Sequence, residues 1–366
     1  METSPDAKRI PLYQQAYQTL KERIISGAYP DGTYLPSERE LCEEFSLNRI
    51  TLRKSLELLA EQGMIKKQAG KGTLVLPCCE EALNYDSAEA KYIAFALCTD
   101  DQSRDRFSEP FQSGLFYYLE RECSGLGYHL LYKTVTPSDH IQSMLQGIHI
   151  SYIIFSSQVR PELLDEAYTL GIPALIVNNH DDRFTSVQID NFSGARMITQ
   201  YLIDSGHKKI AVLTGPDTYT TSMQRLSGWK AALKSGGLSP KQMLVIKGDW
   251  DFSSGYDAGK QIAQLPAVSR PDAVFAFNDD MAMGIMKALL ESNISVPSDI
   301  SLVGFDDVPA CVQVSPALTT VHVDLHAIAT AIIQQLFYTF RQKGKVPPLS
   351  ITVPVSIIIR DSSYRR

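Results

Sequence analysis

One feature restricts the fold of this 366-residue chain more than any other: from Lys91 onward, short apolar runs alternate with stretches of helical spacing. Such an order forms parallel sheets covered by helices, because a parallel crossover needs a long connection. The apolar runs are YIAFAL, YHLLYK, YIIFSS, ALIVNN, KIAVLTG, MLVIKG, AVFAFN and SLVGFDD. The helical stretches are 111–126, 138–147, 161–170, 192–205, 222–235, 253–264 and 281–292. So many units exceed one typical sheet, and we expect two similar lobes with a cleft.

The first 77 residues follow a different pattern, that of three helices and a hairpin. Apolar spacing predicts a helix over 12–26. Ser37 and Glu40 have the spacing of a capping box that opens a second, short helix. Asn48 is a good cap for a third helix, 49–62. The runs MIKKQ and TLVL, separated by a turn with two glycines, predict a small hairpin. This order is typical of a winged helix-turn-helix domain.

The segment 78–90, CCEEALNYDSAEA, is polar and acidic and has no apolar period, which is typical of a linker. We therefore expect a small α+β domain at 1–77, a linker at 78–90 and a two-lobed α/β domain at 91–366. The net charge of −6 hides an uneven distribution. Residues 1–77 carry 11 Lys/Arg against 10 Asp/Glu, and the remainder carries 24 against 31. A surface that binds a polyanion must therefore be local and lie in the first 77 residues.

Basic and hydroxyl side chains crowd the first turns of helix 49–62, namely Arg49, Thr51, Arg53 and Lys54. Helix N-termini favour phosphate, and arginine can bind a guanine edge through two hydrogen bonds. On the hairpin, lysines flank a glycine turn that lets the backbone approach a groove closely. The alternative is a solvated basic face on a small helical domain, which the neighbouring Glu43, Glu44, Glu57 and Glu61 keep open.

From IPLYQQ to GKGTLVL, the first domain closely resembles the DNA-binding domain of GntR-type bacterial regulators. The resemblance rests on the blocks LPSERELCEEF, NRITLRKSLELL and GKGT. Where that family often has Val-Ser-Arg before the recognition helix, this chain has Leu47-Asn48-Arg49, so a hydroxyl contact to phosphate is altered there. The resemblance implies contacts with double-stranded operator DNA by Ser37, Arg39, Arg49, Thr51, Arg53, Lys71, Gly72 and Thr73.

The second domain resembles a different family, the effector domain of LacI-type repressors, which is similar to periplasmic sugar-binding proteins. Several blocks occur in the family's order: GIPALIVNN, IDNFSGARMITQYLIDSGHKKIAVLTG, QRLSGWKAAL, PDAVFAFNDDMAMGIMKALLE, VPSDISLVGFDD and SPALTTV. The combination of both domains resembles the hybrid arabinose repressors. The implied fold is a two-lobed, periplasmic-binding-protein-like α/β domain preceded by a winged helix-turn-helix.

The same resemblance implies a set of ligand-binding residues at strand ends that face the cleft between the lobes. Carboxylates would accept hydroxyl hydrogens of a polyol, Arg225 would donate, and the amides would do both. Trp250 would lie against the apolar face of a sugar ring. Asp190 could equally be a helix cap, and Asp279 and Asp307 are interpreted as structural. The implied set is Asn178, Asp190, Arg225, Trp250, Asn278 and Asp306.

The loop DDQSRDRFSEPF after the first strand of this domain is longer and more charged than the family's usual stretch. An extra arginine near the cleft raises the possibility of an acidic or phosphorylated ligand, although a solvated loop is the favoured interpretation. The residues of this region that could approach the cleft are Arg104, Arg106, Phe107, Phe111 and Gln112.

Enzymatic and metal-binding motifs are absent from the sequence. It contains no GxGxxG, P-loop or GxSxG motif, and its six cysteines fit no metal spacing. His322 and His326 are four residues apart, but no third ligand follows, so we interpret them as surface histidines. We expect no cofactor and no membrane contact, since no apolar run approaches 20 residues. METSPDAKRIPLYQQ lacks the apolar core of a secretory signal, so we expect a cytoplasmic protein.

Together, these features favour a ligand-responsive transcription regulator, most simply a repressor of carbohydrate-utilisation genes. A homodimer is expected, because a single winged helix covers too few base pairs for genomic specificity. The effector is expected to be a mono- or disaccharide such as a pentose. A regulator that senses a non-sugar or phosphorylated metabolite remains an alternative. A sugar receptor of a transport system is a second alternative, although such a receptor would need a signal peptide and would not carry a DNA-binding domain.

Overall fold

The computed structural model describes residues 12–25, 28–30, 32–61, 64–68, 71–75, 91–99, 106–144, 150–341 and 347–364. The chain divides into two compact units, Met1–Glu89 and Ala90–Arg366. The segment 78–90, interpreted above as a linker, lies outside the described residues. No helix in the described ranges is long and apolar enough to cross a membrane.

The first unit has the expected three helices and hairpin, and its caps are the expected residues. Ser37 Oγ accepts a hydrogen bond from the Glu40 amide at 3.3 Å, and Glu40 Oε2 accepts one from the Ser37 amide at 2.7 Å. Asn48 Oδ1 accepts from the Thr51 amide at 2.8 Å. Both caps satisfy amides that have no partner within the helix. The elements are α1 (Leu12–Ile25), α2 (Glu38–Phe45), α3 (Arg49–Glu61) and the antiparallel strands β1 (Ile65–Gln68) and β2 (Gly72–Val75).

The second unit contains two sheets, each of six described strands, which confirms the two-lobed α/β fold. The first has the order β13-β7-β6-β5-β3-β4, and all of its neighbouring strands are parallel. Its strands are β3 (Lys91–Cys98), β4 (Tyr128–Val135), β5 (Ile150–Ser157), β6 (Ala174–Val177), β7 (Thr185–Ile189) and β13 (Ser350–Val353). Helices α4 (Pro110–Gly125), α5 (Ile141–Met144), α6 (Pro161–Thr169) and α11 (Leu325–Arg341) belong to this lobe.

The second sheet has the order β14-β12-β11-β10-β8-β9, with an antiparallel β14 at its edge. Its strands are β8 (Ile210–Thr214), β9 (Val245–Lys247), β10 (Ala273–Ala276), β11 (Ser301–Asp306), β12 (Thr319–His322) and β14 (Ser356–Ile358). Helices α7 (Asn191–Asp204), α8 (Thr220–Ser235), α9 (Phe252–Gln264) and α10 (Asp279–Glu291) cover it. The chain crosses between the lobes after Ile189, after His322 and after Val353.

Two expectations about the secondary structure need correction. The stretch 138–147, read as a helix, contains only the single turn Ile141–Met144 among its described residues. Pro137 and the polar run that follows it favour a turn instead, in which Asp139 accepts a hydrogen bond from the Thr136 amide at 2.7 Å. The alternation predicted from the sequence also omitted the helix α11 and the strands β7, β12, β13 and β14.

Candidate functional site

The recognition helix α3 presents exposed basic residues, and one of them is held by a neighbouring helix. Arg53 Nε lies 3.0 Å from Glu38 Oε2, and Lys67 Nζ lies 2.7 Å from Glu38 Oε1. The hydrogen bond from Lys67, with help from Arg53, holds the pKa of Glu38 below its ordinary value. Glu38 therefore joins the start of α2 to α3 and to strand β1. Arg53 remains 56% exposed and can still reach another partner.

The other residues expected to contact DNA lie at the start of α2, at the start of α3 and on the hairpin. Ser37 is exposed and its hydroxyl oxygen caps α2, which leaves its hydrogen free to be donated. Arg39 is exposed and pairs with Glu43 at 3.1 Å. Arg49 is exposed at the first turn of α3, beside the half-buried Thr51.

The hairpin turn brings the backbone close to solvent at Gly72, whose φ is +113°. A side chain there would be strained, and its Cβ would lie 3.5 Å from the Tyr34 ring. Lys71 before it is exposed and Thr73 after it is half-buried. The exposed backbone at Gly72 therefore carries no side chain, and Lys71 places a positive charge beside it.

Between the two lobes of the second unit lies a solvent-open cleft, and its empty volume of about 730 Å³ includes solvent space at the mouth. It is built at the carboxyl ends of the parallel strands, where open α/β sheets bind ligands. The first lobe contributes Arg106, Glu109, Pro110, Phe111, Gln112, Ser157, Gln158, Asn178 and Ile189. The second contributes Tyr219, Thr220, Thr221, Arg225, Trp250, Asn278, Asp280, Asp306 and Val308.

Arg225 and Asp306 meet at the floor of this cleft. Arg225 is 5% exposed, and its Nη2 lies 3.3 Å from Asp306 Oδ1. Its Nε donates to Asn191 Oδ1 at 2.8 Å, and its Nη1 donates to the Phe277 carbonyl. Burial raises the pKa of Asp306, although the Arg225 charge opposes that shift. The pair is thus a desolvated charge pair, and both residues line the cleft.

Asn278 and Trp250 form one unit of the cleft wall. Asn278 Oδ1 caps α10 by accepting from the Met281 amide at 3.0 Å, and its Nδ2 donates to the Trp250 carbonyl at 2.8 Å. The Trp250 backbone has φ +64°, a conformation this hydrogen bond helps to hold. Trp250 is 8% exposed, and its buried indole Nε1 has no hydrogen-bond partner among the described residues. Both polar atoms of the Asn278 side chain thus bond to the protein backbone, one of them at Trp250.

Asn178 and Asp190 differ in their relation to the cleft. Asn178 lines it, in a left-handed conformation with φ +56°, and its Oδ1 accepts from the Ile189 amide at 3.2 Å. Asp190 is not among the lining residues. It caps α7 instead, accepting a hydrogen bond from the Ser193 amide at 3.0 Å. The structure thus gives Asp190 the capping role that the sequence left open.

The expectation of a solvated loop is wrong for Arg106, which is 6% exposed. Its Nη1 donates to Ser157 Oγ at 2.7 Å and to the Tyr219 hydroxyl at 2.8 Å, so it joins the two lobes. Gln112 and Phe111 also line the cleft, as considered from the sequence. Phe107 instead packs against Tyr132 with ring centroids 4.3 Å apart. Arg104 lies outside the described residues.

Tyr219 and Glu109 were missed by the sequence reading. The spacing of Arg106 and Glu109, three apart at a helix start, is a local signal for a salt bridge that could have been noticed. Tyr219 carries no such signal, since it lies 113 residues from its partner Arg106.

The residues interpreted as structural have protein partners. Asp279 accepts from the Val308 amide at 3.0 Å and from the Thr320 hydroxyl at 2.6 Å. Asp307 pairs with Arg360 at 2.6 Å and with His322 at 2.8 Å.

His326 lies 3.6 Å from Glu122, so it and His322 are directed at different carboxylates. Within the described ranges, no three metal-ligating side chains come together.

Gly215 supports the indole of Trp250, and this contact yields a prediction. A Cβ at position 215 would lie 2.1 Å from Trp250 Cζ2, so Gly215→Ala must displace the ring from the cleft wall. We expect at least a tenfold loss of ligand affinity and a shift in tryptophan emission, measured by calorimetry and fluorescence. Gly125→Ala, where nothing lies within 4 Å, is the matched control. Wild-type emission and affinity in Gly215→Ala would contradict this role.

Comparisons with known proteins agree with both halves of the chain. Residues 12–75 match the family of bacterial regulatory proteins, gntR family, and residues 199–363 match the periplasmic binding protein-like domain. The ribose operon repressor of Escherichia coli (strain K12) is 30% identical over 243 residues, which make up 64% of this chain and 73% of that repressor. The HTH-type transcriptional regulator CelR of Thermobifida fusca is 26% identical over 341 residues, 85% of this chain and 98% of CelR.

A solved structure confirms the fold of the second unit. A LacI family transcriptional regulator from Enterococcus faecium, with bound ribose, aligns with a TM-score of 0.66 at 20% identity. The alignment covers 75% of this chain and 99% of that one. Together with the matches above, it identifies the chain as a member of the LacI-type bacterial transcription regulators, with a DNA-binding domain of the GntR type.

Proposed function

We propose that this protein is a repressor of carbohydrate-utilisation genes that changes its operator affinity when a sugar binds the cleft. The observation that carries the proposal is the buried Arg225–Asp306 pair beside Trp250, in a chain whose first unit is a GntR-type DNA-binding domain. Charged donors and acceptors beside an aromatic ring suit the hydroxyls and the apolar face of a sugar.

The chemistry of the cleft supports a small polyol as the effector. Asn178 and Asn278 contribute amide groups to the lining of the cleft. Arg225 and Asp306 contribute charged groups to it. We include Asp190 only as the cap that fixes the start of α7. The ribose operon repressor and the ribose-bound regulator among the relatives agree with a mono- or disaccharide effector.

The DNA-binding surface is proposed to consist of the start of α2, the recognition helix and the hairpin tip. Arg49 and Arg53 would reach base edges, because arginine binds guanine through two hydrogen bonds. The remaining residues would position the domain on phosphates. This surface comprises Ser37, Arg39, Arg49, Thr51, Arg53, Lys71, Gly72 and Thr73. Acting on chromosomal DNA, the protein would work in the cytoplasm.

A homodimer would bind a two-fold related operator through two such surfaces. A sugar that binds one arrangement of the lobes more tightly than another shifts the population towards it. The two DNA-binding domains then change their spacing, and operator affinity changes by the same coupling free energy.

The two other classes considered from the sequence have less support. A transport receptor has no use for a GntR-type domain. An enzyme would need a reactive group in the cleft, whereas the carboxylate of Asp306 is engaged by Arg225. We therefore propose no catalytic activity and no cofactor.

A thermal-shift screen of the full-length protein tests the proposed effector class. The screen compares pentoses, hexoses, disaccharides, sugar phosphates and nucleosides. A ligand that binds only the folded state raises the melting temperature by mass action. We expect a concentration-dependent rise with at least one sugar. A rise with nucleosides alone would replace the sugar by another metabolite.

The proposed division into a DNA-binding domain, a linker at 78–90 and an effector domain gives a further prediction. A fragment that starts at residue 91 should fold, dimerise and bind the same ligand as the full chain, while it loses operator binding. Circular dichroism, sedimentation and calorimetry measure the three properties. An unfolded or ligand-blind fragment would show that the first 90 residues belong to the folding unit of the effector domain.

A further inference from the structure

Arg106 lies at the centre of a group that extends across the cleft. One of its guanidinium nitrogens contacts Ser157 on the first lobe and Tyr219 on the second, at 2.7 and 2.8 Å. Its other side faces Glu109, with Nε and Nη2 each 3.1 Å from a carboxylate oxygen. This is the two-bond geometry that makes arginine–carboxylate pairs strong. Arg106 and Glu109 both line the cleft.

The charge of Arg106 is therefore neutralised inside the site. Burial lowers its pKa, but Glu109, Tyr219 and the more distant Asp249 hold the pKa above its ordinary value, so the guanidinium stays charged. Glu109 is also shielded from water, with a side chain only 17% exposed. A half-buried carboxylate at this position repels an anionic ligand and so opposes the attraction of the arginine beside it.

The second arginine of the cleft is neutralised in the same way by Asp306. Among the described lining residues, the charged side chains are two arginines and three carboxylates: Arg106, Arg225, Glu109, Asp280 and Asp306. Burial raises the pKa of Asp306, and protonation of this carboxyl would leave two charges of each sign. The net charge of the lining is therefore not positive in either protonation state of Asp306. The two buried arginines, considered alone, would suggest an anion site.

We propose that Glu109 sets the charge preference of the cleft by neutralising Arg106, so that the site takes an uncharged polyhydroxy ligand and rejects its phosphorylated or carboxylated counterpart. This inference rests on the proposed sugar response and adds the residue that determines its specificity. It argues against the acidic ligand that an extra arginine in this loop suggests.

Replacement of Glu109 by glutamine keeps the size of the side chain and removes its charge. Arg106 then faces the cleft with an uncompensated positive charge in a medium of low effective dielectric, where charge pairs interact strongly. The ratio of the anionic to the neutral dissociation constant should fall by about tenfold or more. Replacing Arg106 and Glu109 together by glutamine removes both charges and should return the ratio towards that of the wild type.

The test is calorimetry on the full-length protein with three matched pairs: D-ribose and D-ribose 5-phosphate, D-glucose and D-glucuronate, and D-galactose and D-galacturonate. The wild type should bind the neutral member of a pair at least tenfold more tightly than the anionic member. Glu109→Gln should lower the ratio of the anionic to the neutral dissociation constant, and the double variant should restore that ratio. Glu120→Gln is the matched control, because Glu120 is exposed on α4, the helix that starts directly after Glu109, and this variant should leave the ratio unchanged.

If the wild type binds an anionic member more tightly than its neutral counterpart, the proposed charge preference is overturned. The proposal of a ligand-responsive regulator would not be affected by that result. An unchanged ratio in a folded Glu109→Gln would overturn the role of Glu109. If Glu109→Gln does not fold, the ratio measured for the wild type alone decides the charge preference. The double variant, which leaves no charge unpaired, then decides the role of Glu109. A ratio like that of the wild type supports this role, and a lower ratio overturns it. Binding of no pair by the wild type would remove the proposed sugar response and this inference with it.

Discussion

Arg225→Ala is expected to weaken ligand binding ten- to a hundredfold and to abolish the response to the ligand. Hydrogen bonds to charged groups contribute about 1.5–3 kcal/mol, and each 1.4 kcal/mol is about one decade of affinity. Arg225 also packs its guanidinium 3.6 Å from the centre of the Phe305 ring, so the substitution removes a wall of the cleft as well as a donor. Calorimetry with the best ligand from the thermal-shift screen measures the loss.

The same substitution leaves Asp306 buried without its partner, and the structure predicts a cost in stability. Removing one member of a buried pair typically destabilises a protein by about 3–5 kcal/mol, whereas replacing both by apolar residues is often neutral. Arg225→Met with Asp306→Leu should therefore recover the melting temperature lost in Arg225→Ala and still fail to bind ligand. Recovery of ligand affinity in the double variant would show that the pair is structural and that the ligand binds elsewhere.

Arg53→Ala is expected to weaken operator binding about ten- to a hundredfold, because a bidentate contact with guanine contributes about 1–3 kcal/mol of discrimination. The loss should be large for the selected operator and small for unrelated DNA. Glu38 holds Arg53 in position in the free protein, so the arginine does not have to be ordered on binding.

Lys71→Ala is the informative comparison for Arg53→Ala. A phosphate contact carries no sequence information, so its loss should lower affinity for all duplexes alike and flatten the dependence on salt. Lys230→Ala removes an exposed charge from the second unit and serves as the control. Mobility shifts with wild-type affinity for both Arg53→Ala and Lys71→Ala would place the DNA surface elsewhere.

The sequence predicted the parts of the fold that local patterns determine. The caps at Ser37 and Asn48 depend on residues three positions away, and both are confirmed. The edge strand Ser356–Ile358 was missed because three residues are too short to show a period. The stretch 138–147 was predicted as a helix because two of its apolar residues, Ile141 and Met144, have helical spacing.

The candidate site was predictable where it follows from the ends of parallel strands. Asp306 ends β11 and Asn278 follows β10, and neighbouring parallel strands end at the same edge of a sheet. Asp190 could not be decided, since a carboxylate before a helix serves as cap or as ligand contact. The burial of Arg106 depends on Tyr219, far along the chain, and no local pattern contains that contact.

The proposed function requires that a sugar in the cleft changes the affinity of the protein for DNA. Fluorescence anisotropy of a labelled operator, selected from random duplexes by the full-length protein, measures this affinity in a titration with and without the best ligand. For the wild type we expect the operator dissociation constant to change at least fivefold, the lower end of typical allosteric coupling at about 1 kcal/mol. For the Arg225→Met, Asp306→Leu variant we expect no change. A wild-type operator affinity that is the same with and without a ligand bound in the cleft would contradict the proposed function.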